Sequence, residues 1–91
     1  MLIRSQNKAF LLNFSNLTVA YIAEDDEDFV ISSLENENRY RLGRYSSEAK
    51  AMKALDMIQK CYEEYKTERI YKEGVFKIGT FQMPEDSEVK V

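Results

Sequence analysis

Between Ala51 and Tyr65, apolar side chains return at steps of four, three, four and three residues: Ala51, Leu55, Ile58, Tyr62 and Tyr65, with Ala54 and Cys61 on the same stripe. That is the period of an α-helix, and it predicts one from about residue 47 to 66 with one greasy side. Ser46 or Ser47 can accept from an unpaired first-turn N–H, and Glu48 sits where the helix dipole favours an acid. An amphipathic helix of this length has little stability alone in water. The rest of the chain must therefore build a surface to cover the stripe.

The first half supplies strands. Leu2-Ile3 reads as a short opening strand and Phe10 to Phe14 as a second. Leu17 to Ala23, Phe29 to Leu34 and Arg39 to Tyr45 follow, rich in the β-branched and aromatic residues that fit a pleated surface. Turn residues separate them at Ser5-Gln6-Asn7, Ser15-Asn16 and Glu35 to Asn38, and the acidic run Glu24 to Asp28 forms another break. Connections this short favour antiparallel hairpins, because a parallel return needs a crossover of a dozen residues or more. The expected architecture is α+β: an antiparallel β-meander of about five strands packed against one long amphipathic helix, with a short C-terminal strand.

Beyond Tyr65 the stripe fades, since Arg69 falls where the next apolar residue belongs. Two endings compete. The helix either continues to Glu73 with Gly74 as its cap, or gives way to a hairpin about Glu73-Gly74. The preferred reading is a loop and then a final strand around Val75 to Met83, ended by Pro84, which cannot donate to a ladder. Residues 1–84 then form one domain, and residues 85–91 are expected to fray as an acidic tail.

Function is less constrained. With no histidine, no tryptophan and a single cysteine in 91 residues, most metal sites, histidine-assisted nucleophiles and disulfide scaffolds lack their raw material. No Gly-rich phosphate loop occurs, and no two acids are placed by spacing in an apolar pocket. The reading is a non-enzyme with no catalytic residues, no cofactor and no metal. Cys61 is read as a small core hydrophobe. No run approaches the ~20 apolar residues of a membrane span and no secretory h-region follows Met1 to Lys8, so the expected location is cytoplasmic.

Three groups of residues could carry binding. Arg39, Arg41 and Arg44 interleave with Tyr40 and Tyr45, placing guanidinium donors beside stacking rings as single-stranded nucleic acid or a phosphate ligand would require. Strict alternation puts Arg39, Arg41, Gly43 and Tyr45 on one face of that strand and Tyr40, Leu42 and Arg44 on the other, so the plainer account is a solvated outer face. The acidic run Glu24, Asp25, Asp26, Glu27 and Asp28, with Glu85, Asp86 and Glu88 of the tail, could face a basic partner surface. It lacks the alternating oxygens and turn glycine of a Ca²⁺ loop, and its plainer role is to keep strand edges from pairing with other molecules. Net charge is −3, yet setting aside these eight acids and Lys90 leaves twelve basic against eight acidic side chains. Finally, Met52 and Met57 flank the helix stripe, and with Tyr62 and Tyr65 they could form a self-association surface, though core packing explains most such residues.

Several short segments also carry a resemblance: the opening Met1-Leu-Ile-Arg-Ser-Gln6, then Leu12-Asn13-Phe14, Leu42-Gly43-Arg44-Tyr45, the Ser-Glu-Ala helix start with Ala54-Leu55 and Ile58, and the closing Met83-Pro84. In these the chain resembles a family of small uncharacterised proteins from Gram-positive bacteria and their prophages. The resemblance implies a cytoplasmic single domain of α+β type and transfers no activity, cofactor or functional residue. The expected function is a protein-interaction module acting as a homodimer with an unidentified protein partner. The alternative is nucleic-acid or phosphate-ligand binding through Arg39, Arg41 and Arg44, which the net negative charge disfavours.

Overall fold

A computed structural model describes residues 1–71 and 80–91, with the side chains of residues 65–71 outside the description. Among the described residues, six strands and one helix follow one another as β1 (Leu2–Arg4), β2 (Leu11–Asn13), β3 (Val19–Asp25), β4 (Asp28–Glu35), β5 (Asn38–Tyr45), α1 (Glu48–Tyr71) and β6 (Thr80–Gln82). Short 3-10 turns lie at Phe14–Asn16 and Asp86–Glu88. The fold is α+β, with the five strands of the first half in a meander.

The strands divide between two three-stranded sheets, β2-β1-β6 and β3-β4-β5. The second is built by two-residue turns, with Asp25 paired to Asp28 and Glu35 to Asn38. Asp26 (φ 57°) and Asn36 (φ 56°) begin those turns in the left-handed region, which short polar side chains of this kind tolerate best after glycine. In the first sheet β1 pairs antiparallel with β2 and parallel with β6. That parallel pairing needs a long crossover, and α1 lies within it.

The ladder is buried as the spacing requires: Ala51, Ala54 and Ile58 are enclosed, while Leu55, Cys61 and Tyr62 pack partly against the core. The two alanines leave room for the helix to approach the sheet closely, and α1 touches β3, β4 and β5. Ile31, Leu42 and Tyr45 meet it from one sheet, and Ile3, Leu12 and Met83 join the same core from the other. Ser47 caps the helix, its Oγ accepting from the Lys50 N–H at 3.2 Å. The helix runs through Tyr71 rather than stopping near residue 66, because Glu63 to Arg69 is dense in strong helix formers that need no buried face. The proposed strand from Val75 to Met83 lies partly outside the described residues. Within them it is Thr80–Gln82.

Residues 85–91, expected to fray, are docked instead. Val89 is buried in the core, and Asp86 Oδ1 accepts from the Ser46 N–H at 2.8 Å. The Ser46 hydroxyl and the Lys50 ammonium also bind this carboxylate. The Ser46 N–H first, then that hydroxyl and Lys50, hold the Asp86 carboxyl below the usual carboxylate range. A carboxyl whose folded value is depressed contributes stability that is present above its unfolded value near 4 and is lost as pH falls through the folded one. Asp86→Asn is therefore expected to lower stability by about 1 kcal/mol at pH 7, the usual net worth of a hydrogen bond. The gap from the native chain should close as melting is followed down through pH 4 to pH 2; a gap constant with pH would remove Asp86 from tail docking.

Candidate functional site

The arginines and the acids chosen from sequence meet one another. Leu42 is the extra residue of a β-bulge: Ile31 pairs with Gly43, but Ser32 pairs with Arg41. The bulge turns Leu42, Gly43 and Tyr45 all inward, so strict alternation fails there. Arg41 and Arg44, expected on opposite faces, are therefore both exposed on the outer face, where Arg41 registers with Ser32 and Arg44 with Val30.

Across the sheet the β3–β4 hairpin brings Asp25 and Asp28 to the same place. Arg44 Nη2 bonds Asp25 Oδ2, Arg44 Nη1 reaches Asp28 Oδ2 at 3.1 Å, and Arg41 Nη1 reaches Asp25 Oδ2 at 3.2 Å. Donating to Asp28 and then to Asp25 holds the Arg44 guanidinium in its charged form even more firmly than usual. Each pair is exposed, so each is worth little to stability. Their larger effect is to neutralise the outer face: an incoming phosphate would have to displace two carboxylates to reach Arg44. Arg39 lies on the same face but registers with Leu34, at the far end of the strand from this cluster.

The remaining acids divide. Glu24, Asp26 and Glu27 are exposed at the hairpin tip. Glu85 and Glu88 cap their own 3-10 turn, the Glu85 N–H donating to Glu88 Oε1 at 2.9 Å. Asp28 of the run nevertheless lines one cleft together with Glu85 and Asp86 of the tail. Among the described residues, no cluster of three His, Cys, Asp or Glu side chains has the geometry to hold a metal ion.

Two shallow clefts flank Arg44. One, of about 170 Å³, lies among Gln6, Val30, Arg41 and Gly43, and the other, of about 260 Å³, among Asp28, Tyr45, Ser46 and Glu85. Both are smaller than the ~300–1,000 Å³ of ordinary small-molecule sites. The chain matches no family model, no curated protein and no solved structure. No described helix is long and apolar enough to cross a membrane.

The helix residues chosen for self-association also separate. Tyr62 is taken into the fold, its ring 4.9 Å from that of Phe14. Met52 (47% exposed) and Met57 (37%) are open, but five residues apart on a helix they point about 140° from each other and make no single patch. The Tyr65 side chain lies outside the described residues. Burial pushes the Cys61 thiol up, consistent with a packing role. Apolar exposure that the spacing argument missed lies instead at Phe10, Leu11 and Val19, on or beside the edge strands β2 and β3. Edge position depends on which strands pair, and no local pattern reveals it.

Proposed function

We propose that this chain is a non-enzymatic protein-interaction module that works as a homodimer and presents the joined surface to a protein partner. The observation that carries the reading is the concentration of exposed apolar side chains at sheet edges, Leu11 on β2 and Val19 on β3, where unpaired backbone groups accompany them. The chain's resemblance to small proteins of Gram-positive bacteria and their prophages adds a cytoplasmic, prophage-encoded setting.

The competing reading, nucleic-acid or phosphate-ligand binding through Arg39, Arg41 and Arg44, has a specific feature in its favour: the bulge gathers Arg41 and Arg44 on one face. Asp25 and Asp28 occupy both, and Glu24, Asp26 and Glu27 stand beside them, so the local field repels phosphate. Light scattering at micromolar concentration tests the choice. A mass of twice 10.7 kDa is expected, with no binding to an oligonucleotide at low salt. A monomer throughout would defeat the homodimer, and salt-sensitive oligonucleotide binding lost in Arg41→Ala would establish the competing reading.

A further inference from the structure

We propose that the homodimer forms by antiparallel pairing of β3 with β3 of a second copy about a twofold axis through Ile22, an inference that rests on the homodimer reading above. The two edges of the β3-β4-β5 sheet are treated differently by the fold. On the β5 side, the Gln6 side chain closes the edge: its Oε1 accepts from the Arg44 N–H at 2.8 Å and its Nε2 donates to the Arg44 carbonyl at 3.1 Å. On the β3 side, no described residue pairs with Val19–Asp25 except β4. That strand holds seven residues in unbroken register, with no proline, lysine or bulge to blunt it.

The register with β4 selects where a second strand can bind. Asp25 and Asp28 flank a two-residue turn and pair directly, so Asp25, Ala23, Tyr21 and Val19 direct their N–H and C=O groups toward β4. Ala20, Ile22 and Glu24 direct theirs to the open edge. A twofold axis can match free groups to free groups when centred on any residue from Ala20 to Glu24; centred on Tyr21 it sets Glu24 against Thr18, whose N–H already donates to the Leu34 carbonyl at 2.8 Å, and centred on Ala23 it sets Ala20 against Asp26 of the turn. Centred on Glu24, it sets Glu24 against Glu24 and brings the two acidic tips together. Centred on Ala20, it carries the second strand past the start of β3 into the 3-10 turn at Phe14–Asn16.

Centred on Ile22, it pairs Ile22 with its own copy and Ala20 with Glu24, so every free backbone group from 20 to 24 gains a partner. The charges suit this register as well. Each acidic tip then lies beside Leu17, Thr18 and Val19 of the other copy, which carry no charge, and the two tips sit at opposite ends of the joint. On the outer face Tyr21 lies against Ala23 of the second copy, and Val19, 42% exposed, is covered by the added strand. The product is a continuous six-stranded sheet with both helices on one side.

The test is cysteine trapping in a Cys61→Ser background, with light scattering alongside. Ile22→Cys should form an interchain disulfide under mild oxidation, because directly paired strand residues lie ~5.5 Å apart between Cα atoms, within disulfide reach. Val19→Cys should not, since the two copies of residue 19 stand six positions apart along the joint. Ala20→Pro removes an outward N–H without touching the β4 ladder, and the twofold doubles the loss. It should keep the native circular dichroism and weaken the dimer about tenfold or more. If the dimer persists undiminished in folded Ala20→Pro and Ile22→Cys fails to cross-link, the edge pairing is overturned while the homodimer stands. A native chain that is monomeric throughout overturns both. Should Ala20→Pro fail to fold, the contrast between the residue 22 and residue 19 cysteines decides alone.

Discussion

Replacing Gly43 with alanine is expected to lower stability by about 2–3 kcal/mol, and with valine by more, a loss as large as a third or more of what holds a domain of this size folded. The reason is the ring of Tyr45. A Cβ on Gly43 would lie 3.0 Å from Tyr45 Oη, 3.1 Å from Cε2 and 3.3 Å from Cζ. A free surface ring would swing aside, but Tyr45 is completely buried and its hydroxyl donates to the Pro84 carbonyl at 2.8 Å. Burial also pushes that phenol well above its ordinary range, which favours the protonated, donating form. Making room for one methyl group therefore means moving a core ring and lengthening a buried hydrogen bond.

Thermal melting of Gly43→Ala, Tyr45→Phe and the double variant separates the two costs. Tyr45→Phe removes the atom nearest the added methyl, at the loss of one hydrogen bond of about 1 kcal/mol. The Pro84 carbonyl keeps a second donor, Gln6 Nε2, at 3.1 Å. The double variant should thus be more stable than the sum of the single losses predicts, a coupling that only neighbours in contact show. Additive losses, or a melting temperature for Gly43→Ala within a degree of the native chain, would mean that the ring yields and that Gly43 is not there for its sake.

How much of this could be seen in the residues follows from the range over which each signal acts. The helix was legible because Ala51, Ala54 and Ile58 mark the buried side within two turns, and β3, β4 and β5 because two-residue turns join apolar runs. The parallel pairing of β1 with β6 joins residues nearly eighty positions apart and leaves no local trace. The bulge leaves one local sign, Gly43 inside a strand, but a glycine does not say which residue is the extra one, and strict alternation puts Arg41 and Arg44 on opposite faces. The acidic run and the arginine strand were each visible, but their meeting depends on register across three strands, which turns two candidate sites into one neutralised surface. The docked tail leaves no periodic signal, because one apolar residue, Val89, and one carboxylate, Asp86, hold it.

Gln6, which reads in sequence as a turn residue, is expected to be the second most sensitive position outside the core proper, with Gln6→Ala destabilising by about 2 kcal/mol. Its backbone N–H donates to the Leu42 carbonyl at 2.7 Å, and its side-chain amide continues the pattern a neighbouring strand would make, giving one bond to and one from the Arg44 backbone. The same Nε2 reaches Pro84, so one amide ties the β1 end, the β5 edge and the C-terminal segment together. Alanine would leave those groups to water at a half-buried site, where partial replacement keeps the loss below the sum of three full bonds. Gln6→Glu makes a sharper test, because it keeps the size and acceptor oxygen but turns the donor toward two carbonyls into an acceptor, near Asp28, Glu85 and Asp86. At pH 7 it should be less stable than Gln6→Ala, and at pH 4, where the carboxyl can hold a proton and donate once more, the order should narrow or reverse. Hydrogen exchange gives the local readout: in Gln6→Ala the Arg44 amide should exchange faster by a larger factor than the amides of Val30 and Ile31 in the centre of the sheet. Equal acceleration at all three would mean that Gln6 contributes to global stability without closing the β5 edge.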